Sequence, residues 1–430
     1  MEFRNLTPLH AMAFHAIDLH DHEFHVVVLK AGYRLEPIHI DAPDADTHAC
    51  RLLAGNDAVR LAMADEYEGE TGSSSVKWES DLAPFKPKCD FLVRATAHAP
   101  EGKPLPSWPV RVRISLGDKV VIDKGLRVTG PRVFQKGWRG WRLAVPEAVA
   151  TVPMRWEYAF GGCSRVVAAA GVVGLPAERE LNEVCFSNPL GRGWVEKRFP
   201  GCATAGDVVA SSSATSALTH VAKIAEIPAP QIEEWDSPIE SPVFAKHPLA
   251  PIDAARMAEV AASYGVAPVG LGVVGRAWAP RLMAAGTYDE AWRADRWPHL
   301  PLDFDFGYWN GAPADQQIAW PDNGISFELA NLAAPAHTCV GFLRARLPEH
   351  RALVALRFES GAIAPVPMRA DTVFIDAEEM LVLVTWRAVF PVQPTVRVCE
   401  ARFETNPTAP LLQINTDARQ TETEEAWLTT

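Results

Sequence analysis

The chain has 430 residues, with 41 Lys and Arg against 53 Asp and Glu, a formal net charge of −12 at pH 7. Hydrophobic residues make up 48% and charged residues 22%, which excludes general disorder, and the length allows two or three domains of roughly 100–200 residues each. An acidic balance without a basic tract argues against nucleic acid as a partner, because a grip on phosphates depends on clustered Lys and Arg.

The first residues, Met1-Glu2-Phe3-Arg4-Asn5, lack the charged and apolar regions of a signal peptide, and no apolar run nears the about 18 residues of a membrane span. A cytoplasmic protein off the membrane is therefore expected. Next comes Leu19-His-Asp-His-Glu-Phe-His25. In extended chain His20 and His22 share a face and, with Asp21, could ligate zinc or nickel. Without an H-e-x-x-H pattern the stretch, His25 included, is read as a solvated loop, and no metal ligand is assigned. The seven cysteines, Cys50, Cys89, Cys163, Cys185, Cys202, Cys339 and Cys399, are odd in number, far apart and form no C-x-x-C. They are expected to be reduced and mostly buried.

Period-two alternation marks strands through the first 160 residues. Phe24 to Leu29 is apolar enough to be covered on both faces. Phe91 to His98 and Val110 to Leu116 alternate, and Gly117-Asp118, with Gly first, predicts a type II′ hairpin returning along Lys119 to Thr129. Lys136-Gly-Trp-Arg-Gly-Trp-Arg142 interleaves basic and aromatic residues as a single-strand binder would; isolated in an acidic chain, it is read as a strand with Trp138 and Trp141 packed.

From about Gly161 to Pro321 the pattern breaks into Pro-, Gly- and Trp-rich chain. Asp253 predicts the N-cap of a helix running to Tyr264, with Ile252 and Met257 as a hydrophobic staple and Gly265 as its stop. Gly270-Leu-Gly-Val-Val-Gly275 matches a dinucleotide-binding string, but Pro268 before it and Pro280 after it deny it the strand and helix that such a turn requires. A second helix is predicted from Asp289 through Trp297, stopped by Pro298. Asp303 and Asp305 would share a strand face, and paired carboxylates beside aromatic residues are what glycoside hydrolysis requires; Asx turns and caps are the commoner use of such aspartates. No G-x-S-x-G and no P-loop string occurs.

Strands resume at Ser326 to Leu332, Val340 to Leu347, Ala352 to Phe358, Met368 to Ile375 and Met380 to Phe390, the last two joined by a hairpin at Asp376 to Glu379. No period of 20 to 50 residues suggests a repeat fold. The chain thus reads as mainly β, with antiparallel sandwich or barrel-like domains and an irregular middle containing short helices. The boundaries fall at 1–162 for an N-terminal β-rich domain, 163–321 for the irregular middle and 322–402 for a C-terminal β-rich segment, with 403–430 a mobile tail.

Several strings together are more specific than any single motif. They are Met1 to Pro8 (MEFRNLTP), Ala64 to Gly69 (ADEYEG), Val76 to Lys88 (VKWESDLAPFKPK), Lys124 to Pro131 (KGLRVTGP), Tyr158 to Gly162 (YAFGG), Asn188 to Gly191 (NPLG) and Ala285 to Trp292 (AGTYDEAW), followed by Leu300 to Phe306 and Ala312 to Gln317. On these residues the chain resembles the bacterial family called domain of unknown function 2169, over about residues 1 to 395. It departs at Pro268 to Val274, where a Gly-Phe-Gly-Pro type turn is expected.

The resemblance implies a cytoplasmic accessory protein of type VI secretion. Such an adaptor chaperone holds a toxic effector, or its PAAR-type tip protein, and helps mount it on the secretion spike. It implies no enzyme, no catalytic residue and no cofactor. Trp278, Tyr288, Trp292, Trp297, Asp303, Asp305, Trp309 and Trp320 are the partner-binding candidates, since large aromatic side chains anchor interfaces well. The acidic net charge would favour a basic toxin. A carbohydrate-active enzyme or glycan-binding protein is the alternative.

Overall fold

Strand Glu23–Leu35 shows why the fold is built as layers. Its residues from Val26 to Ala31 are buried on both faces, so chain must cover the sheet from above and below. The computed structural model describes residues 1–38, 46–167, 180–197, 225–247, 252–322 and 324–409.

Glu23–Leu35 is an interior strand of a seven-stranded sheet, ordered His10–Ile17, Glu23–Leu35, Leu381–Pro391, Arg369–Asp376, Cys89–Arg94 and Gln317–Ile318, with Cys50–Leu53 also pairing Glu23–Leu35. A five-stranded antiparallel sheet runs Ile232–Glu234, Lys119–Thr129, Ser107–Leu116, Ile325–Ala330, Phe342–Arg346. A four-stranded sheet runs Glu2–Asn5, Val396–Glu404, Arg351–Phe358, Ile363–Pro367. One core joins all three: Leu29, Val93, Val373 and Val384 from the first, Ile114, Val128, Leu329 and Leu343 from the second, Val354 and Cys399 from the third.

The mainly β reading agrees with this architecture. The barrel alternative does not, because the sheets remain open. Nor is the pairing purely antiparallel: Arg369–Asp376 runs parallel to Cys89–Arg94, and Glu2–Asn5 parallel to Val396–Glu404. The 1–162 and 322–402 stretches supply strands to the same sheets.

The Gly117-Asp118 hairpin forms as predicted, Gly117 taking φ 56°. The Phe91 to His98 strand breaks at Ala95, whose carbonyl accepts from Met154 N and Arg155. Trp138 is a correction. It stands 87% exposed at the tip of the Val133–Gly137/Gly140–Leu143 hairpin, with the Arg139 guanidinium 4.2 Å from its ring centroid, while Trp141 packs on Phe244.

A second core joins Phe134 and Phe160 of the 1–162 stretch to Trp194, Ile227 and Tyr264 of the middle segment. Helix Ala254–Ala262 is capped by Asp253, which accepts from Arg256 N at 2.8 Å, and Gly265 follows at φ 69°. The second helix, Glu290–Asp295, begins at its Asp289 cap but ends two residues before Trp297. The glycines of Gly270 to Gly275 serve packing: a Cβ would meet the Trp156 ring at 2.9 Å from Gly270 and the Trp278 ring at 2.5 Å from Gly275. Cys89, Cys185 and Cys399 are buried and Cys50 and Cys339 half-buried, these five as free thiols, and Cys163 is exposed; Cys202, like the tail from residue 410, lies outside the described residues.

Candidate functional site

Residues 279–309 form a loop cluster fixed by short polar anchors. Asp289 caps Glu290–Asp295 by accepting from Trp292 N at 2.8 Å. Asp303 accepts from Thr287 N and Oγ1 at 3.0 and 2.7 Å, tying the Gly286-Thr287 turn to the 301–304 loop. These Thr287 bonds hold the Asp303 carboxyl below its ordinary range. Asp305 caps the 3-10 turn Phe306–Trp309 through Gly307 N at 2.7 Å. Buried Arg281 donates to the carbonyls of Tyr308 and Val274. Arg296 reaches across to the loop after His10–Ile17, meeting Asp21 at 2.9 and 3.0 Å and the Leu19 carbonyl at 3.2 Å.

On this scaffold apolar side chains face solvent: Tyr288 is 53% exposed, Trp297 67%, Leu302 64% and Met283 51%. The Tyr288 ring meets Trp292 edge-on at 4.7 Å. Trp292 is half-buried and donates Nε1 to the His299 carbonyl. The eight candidates therefore divide. Tyr288, Trp292 and Trp297 lie together at the surface. Asp303 and Asp305 are exposed but engaged with backbone amides, on loop rather than strand. Trp278 is buried against Trp156, rings crossing at 5.3 Å. Trp309 meets the Tyr308 ring edge-on and has the Arg276 guanidinium 5.4 Å from its centroid, and Trp320 lies under Arg369 beside Phe85, donating to the Lys86 carbonyl.

Sequence reasoning missed a second feature. The Val76 to Asp90 stretch crosses the outer face of the seven-stranded sheet and brings a network of buried charges. Lys30 meets Asp81 at 2.8 Å, and Asp81 also accepts from Ala62 N and Thr385. Lys86 meets Asp90 at 2.9 Å and Thr372 at 2.9 Å. Arg387 meets Asp371 at 2.6 Å, and Glu79 accepts from Arg276 and Arg281. Burial opposes the charge on Lys86, yet Asp90, Asp371 and Glu79 outweigh it and raise its pKa. Burial pushes the neighbouring Cys89 thiol well up, so it stays protonated.

Lys30, Trp78, Asp81, Lys86, Thr372 and Arg387 enclose a small cavity. Each charge here already has a partner, so the network fastens the covering segment to the sheet. The signal for it was present in the sequence: Lys, Glu and Asp interspersed with Trp78, Leu82 and Phe85. Among the described residues no helix is long and apolar enough to cross a membrane, and no three metal-ligating side chains gather.

A family model described as "Uncharacterized protein conserved in bacteria (DUF2169)" matches residues 20–387. No curated protein and no solved structure matches the chain.

Proposed function

We propose that this chain, which belongs to the DUF2169 family, is a non-enzymatic adaptor that binds a partner protein on the 279–309 surface. In the finer form of the proposal it is a cytoplasmic accessory of type VI secretion. It binds a toxic effector or a PAAR-type tip protein and helps load it onto the spike, as the resemblance in its sequence strings implies. The observation that carries the adaptor reading is the exposure of Tyr288, Trp297 and Leu302 on loops pinned by Asp289, Asp303, Asp305 and Arg296. Aromatic side chains held in place lose little freedom on binding and bury much area. The cluster also carries Asp289, Glu290, Asp295, Asp303 and Asp305 against Arg293, Arg296 and the buried Arg281, which favours a basic partner surface.

The test is affinity purification of the tagged protein from bacterial cytoplasm, with co-eluting proteins identified by mass spectrometry. A Tyr288→Ala/Trp297→Ala variant serves as comparison. Recovery of a secretion effector or a PAAR-type protein by the parent and not by the variant is expected. Equal recovery by both would move the interface elsewhere, and a bare monomer in both would remove the adaptor reading.

A further inference from the structure

The hairpin Val133–Gly137/Gly140–Leu143 is used by nothing described so far. Its tip presents Trp138, and Val145 just beyond it is 86% exposed. Lys136, Arg139 and Arg142 lie within seven residues, a local basic patch on a chain whose net charge is −12. Lys136 lies 6.0 Å from the Trp141 ring centroid. Arg139 and Arg142 are exposed, and neither makes an ion pair with any described residue.

The backbone supplies the second half of the argument. The hairpin belongs to a three-stranded sheet in which Val133–Gly137 is central, between Gly140–Leu143 and Glu226–Pro228. Ala144 N donates to the Val133 carbonyl at 2.9 Å, and Lys136 N to the Ala225 carbonyl on the far side at 2.8 Å. In an antiparallel ladder bonded and non-bonded pairs alternate. Gln135 with Arg142 and Gly137 with Gly140 are therefore the bonded pairs, and the N–H and C=O groups of Trp141 and Leu143 point outward. Among the described residues no strand takes them up. The side chains of Trp141 and Leu143 pack on the second core, so this edge is held in position, with Arg142 on the solvent face.

We propose that this hairpin is a docking surface, distinct from the 279–309 cluster, that receives an extended acidic segment of a protein partner by strand addition to the outer edge of Gly140–Leu143. Outward N–H and C=O groups supply the pairing, Arg139 and Arg142 select acidic side chains, and Trp138 covers an apolar one. Nucleic acid is the poorer fit, because it has no counterpart to an open strand edge and the overall negative charge repels it. The edge is short, with two residues facing outward, which suits a transient contact.

The probe is a fluorescein-labelled peptide, Glu-Val-Glu-Val-Glu-Val-Glu, titrated into the full-length protein and followed by anisotropy. Binding is expected, with Trp141 and Leu143 amides slowed in hydrogen exchange. Affinity should drop about tenfold or more in Arg139→Glu/Arg142→Glu, where attraction turns to repulsion, and by a similar factor when the peptide amides facing the edge are N-methylated. The N-methylated peptide tests the parent protein, so the outcome does not depend on the variant folding. Four results would overturn the proposal: no binding, equal binding of the methylated peptide, unchanged amide exchange, or tighter binding of oligo-dT or phosphatidylserine vesicles. Self-association of the Arg→Glu variant without peptide binding in the parent would instead make the arginines a guard against edge-to-edge pairing.

Discussion

Replacing Lys86 with Met removes an ammonium from a site where its partner has no water to turn to. The Lys86 side chain is 9% exposed and that of Asp90 0%, with 2.9 Å between Nζ and Oδ2. At that separation and an effective dielectric of about 20, the attraction is about 6 kcal/mol before desolvation is subtracted. Breaking a buried pair by removing one member costs about 3–5 kcal/mol. Asp90 keeps three donors, Asn310 Nδ2 at 3.0 Å, Gly311 N at 2.9 Å and Ala312 N at 3.3 Å, which places the expected loss near the lower end, about 3 kcal/mol.

Urea denaturation followed by Trp fluorescence measures it, with Lys103→Met as control. The Lys103–Glu101 pair is about three-quarters exposed on both sides, so that change should stay within about 0.5 kcal/mol. The folded pKa of Lys86 is raised, so its contribution is present below the unfolded value of about 10.4 and disappears as pH rises through the folded one. The gap between parent and variant should therefore be flat near neutrality and close only in strong base. A loss under about 1 kcal/mol for Lys86→Met would refute the reasoning, since a buried carboxylate would then be indifferent to its counter-ion.

Gly275→Ala places a Cβ 2.5 Å from the Trp278 ring and should cost about 1–3 kcal/mol by overpacking, whereas Gly125→Ala, with nothing within 4 Å, should not destabilise; thermal melts compare them. Asn188 is fully buried, donates to the carbonyls of Trp156 and Phe160 and accepts from Leu190 N, so Asn188→Ala should lose roughly 2–4 kcal/mol in urea titration through groups left unsatisfied. The Asp303 carboxyl is held below its ordinary pKa by Thr287. Its stabilisation of the 286–304 turn is present above the unfolded value of about 3.9 and disappears as pH falls through the folded one. Thr287 amide protection should show that acid limb, and Asp303→Asn should abolish it.

Legibility followed how local the physics was. The Gly117-Asp118 hairpin, the Asp253 and Asp289 caps and the double-sided burial of Val26 to Leu29 depend on neighbours in sequence, and the sequence patterns pointed to each. Trp138 was misread because alternation marks a strand without saying which face, or which tip, meets the core. The parallel pairing of Arg369–Asp376 with Cys89–Arg94 was illegible for a related reason, since strand partners nearly 300 residues apart leave no local mark. Lys30, Lys86 and Arg387 are buried with counter-charges that only the fold brings to them, Asp81 of the covering segment for Lys30, Asp90 for Lys86 and Asp371 of the strand Arg369–Asp376 for Arg387. At the 279–309 surface the sequence pointed to the aromatic residues but not to the division between Trp278, which fills the core, and Trp297, which stands clear of it.

The pairing of Glu23–Leu35 with Leu381–Pro391 sets a schedule for the chain as it leaves the ribosome. The first of these strands emerges some 350 residues before the second, an interval of about 20–70 s at usual bacterial rates of elongation. Throughout that interval a run of Val, Leu and Ala meant for the middle of a sheet has no neighbour on one side. A chain cut short before residue 381 would keep most of its length and lose the strand that closes its main sheet. Nascent-chain length, rather than any local sequence, therefore decides when this protein becomes folded, and premature termination late in its message should yield aggregate in place of a shortened but working molecule.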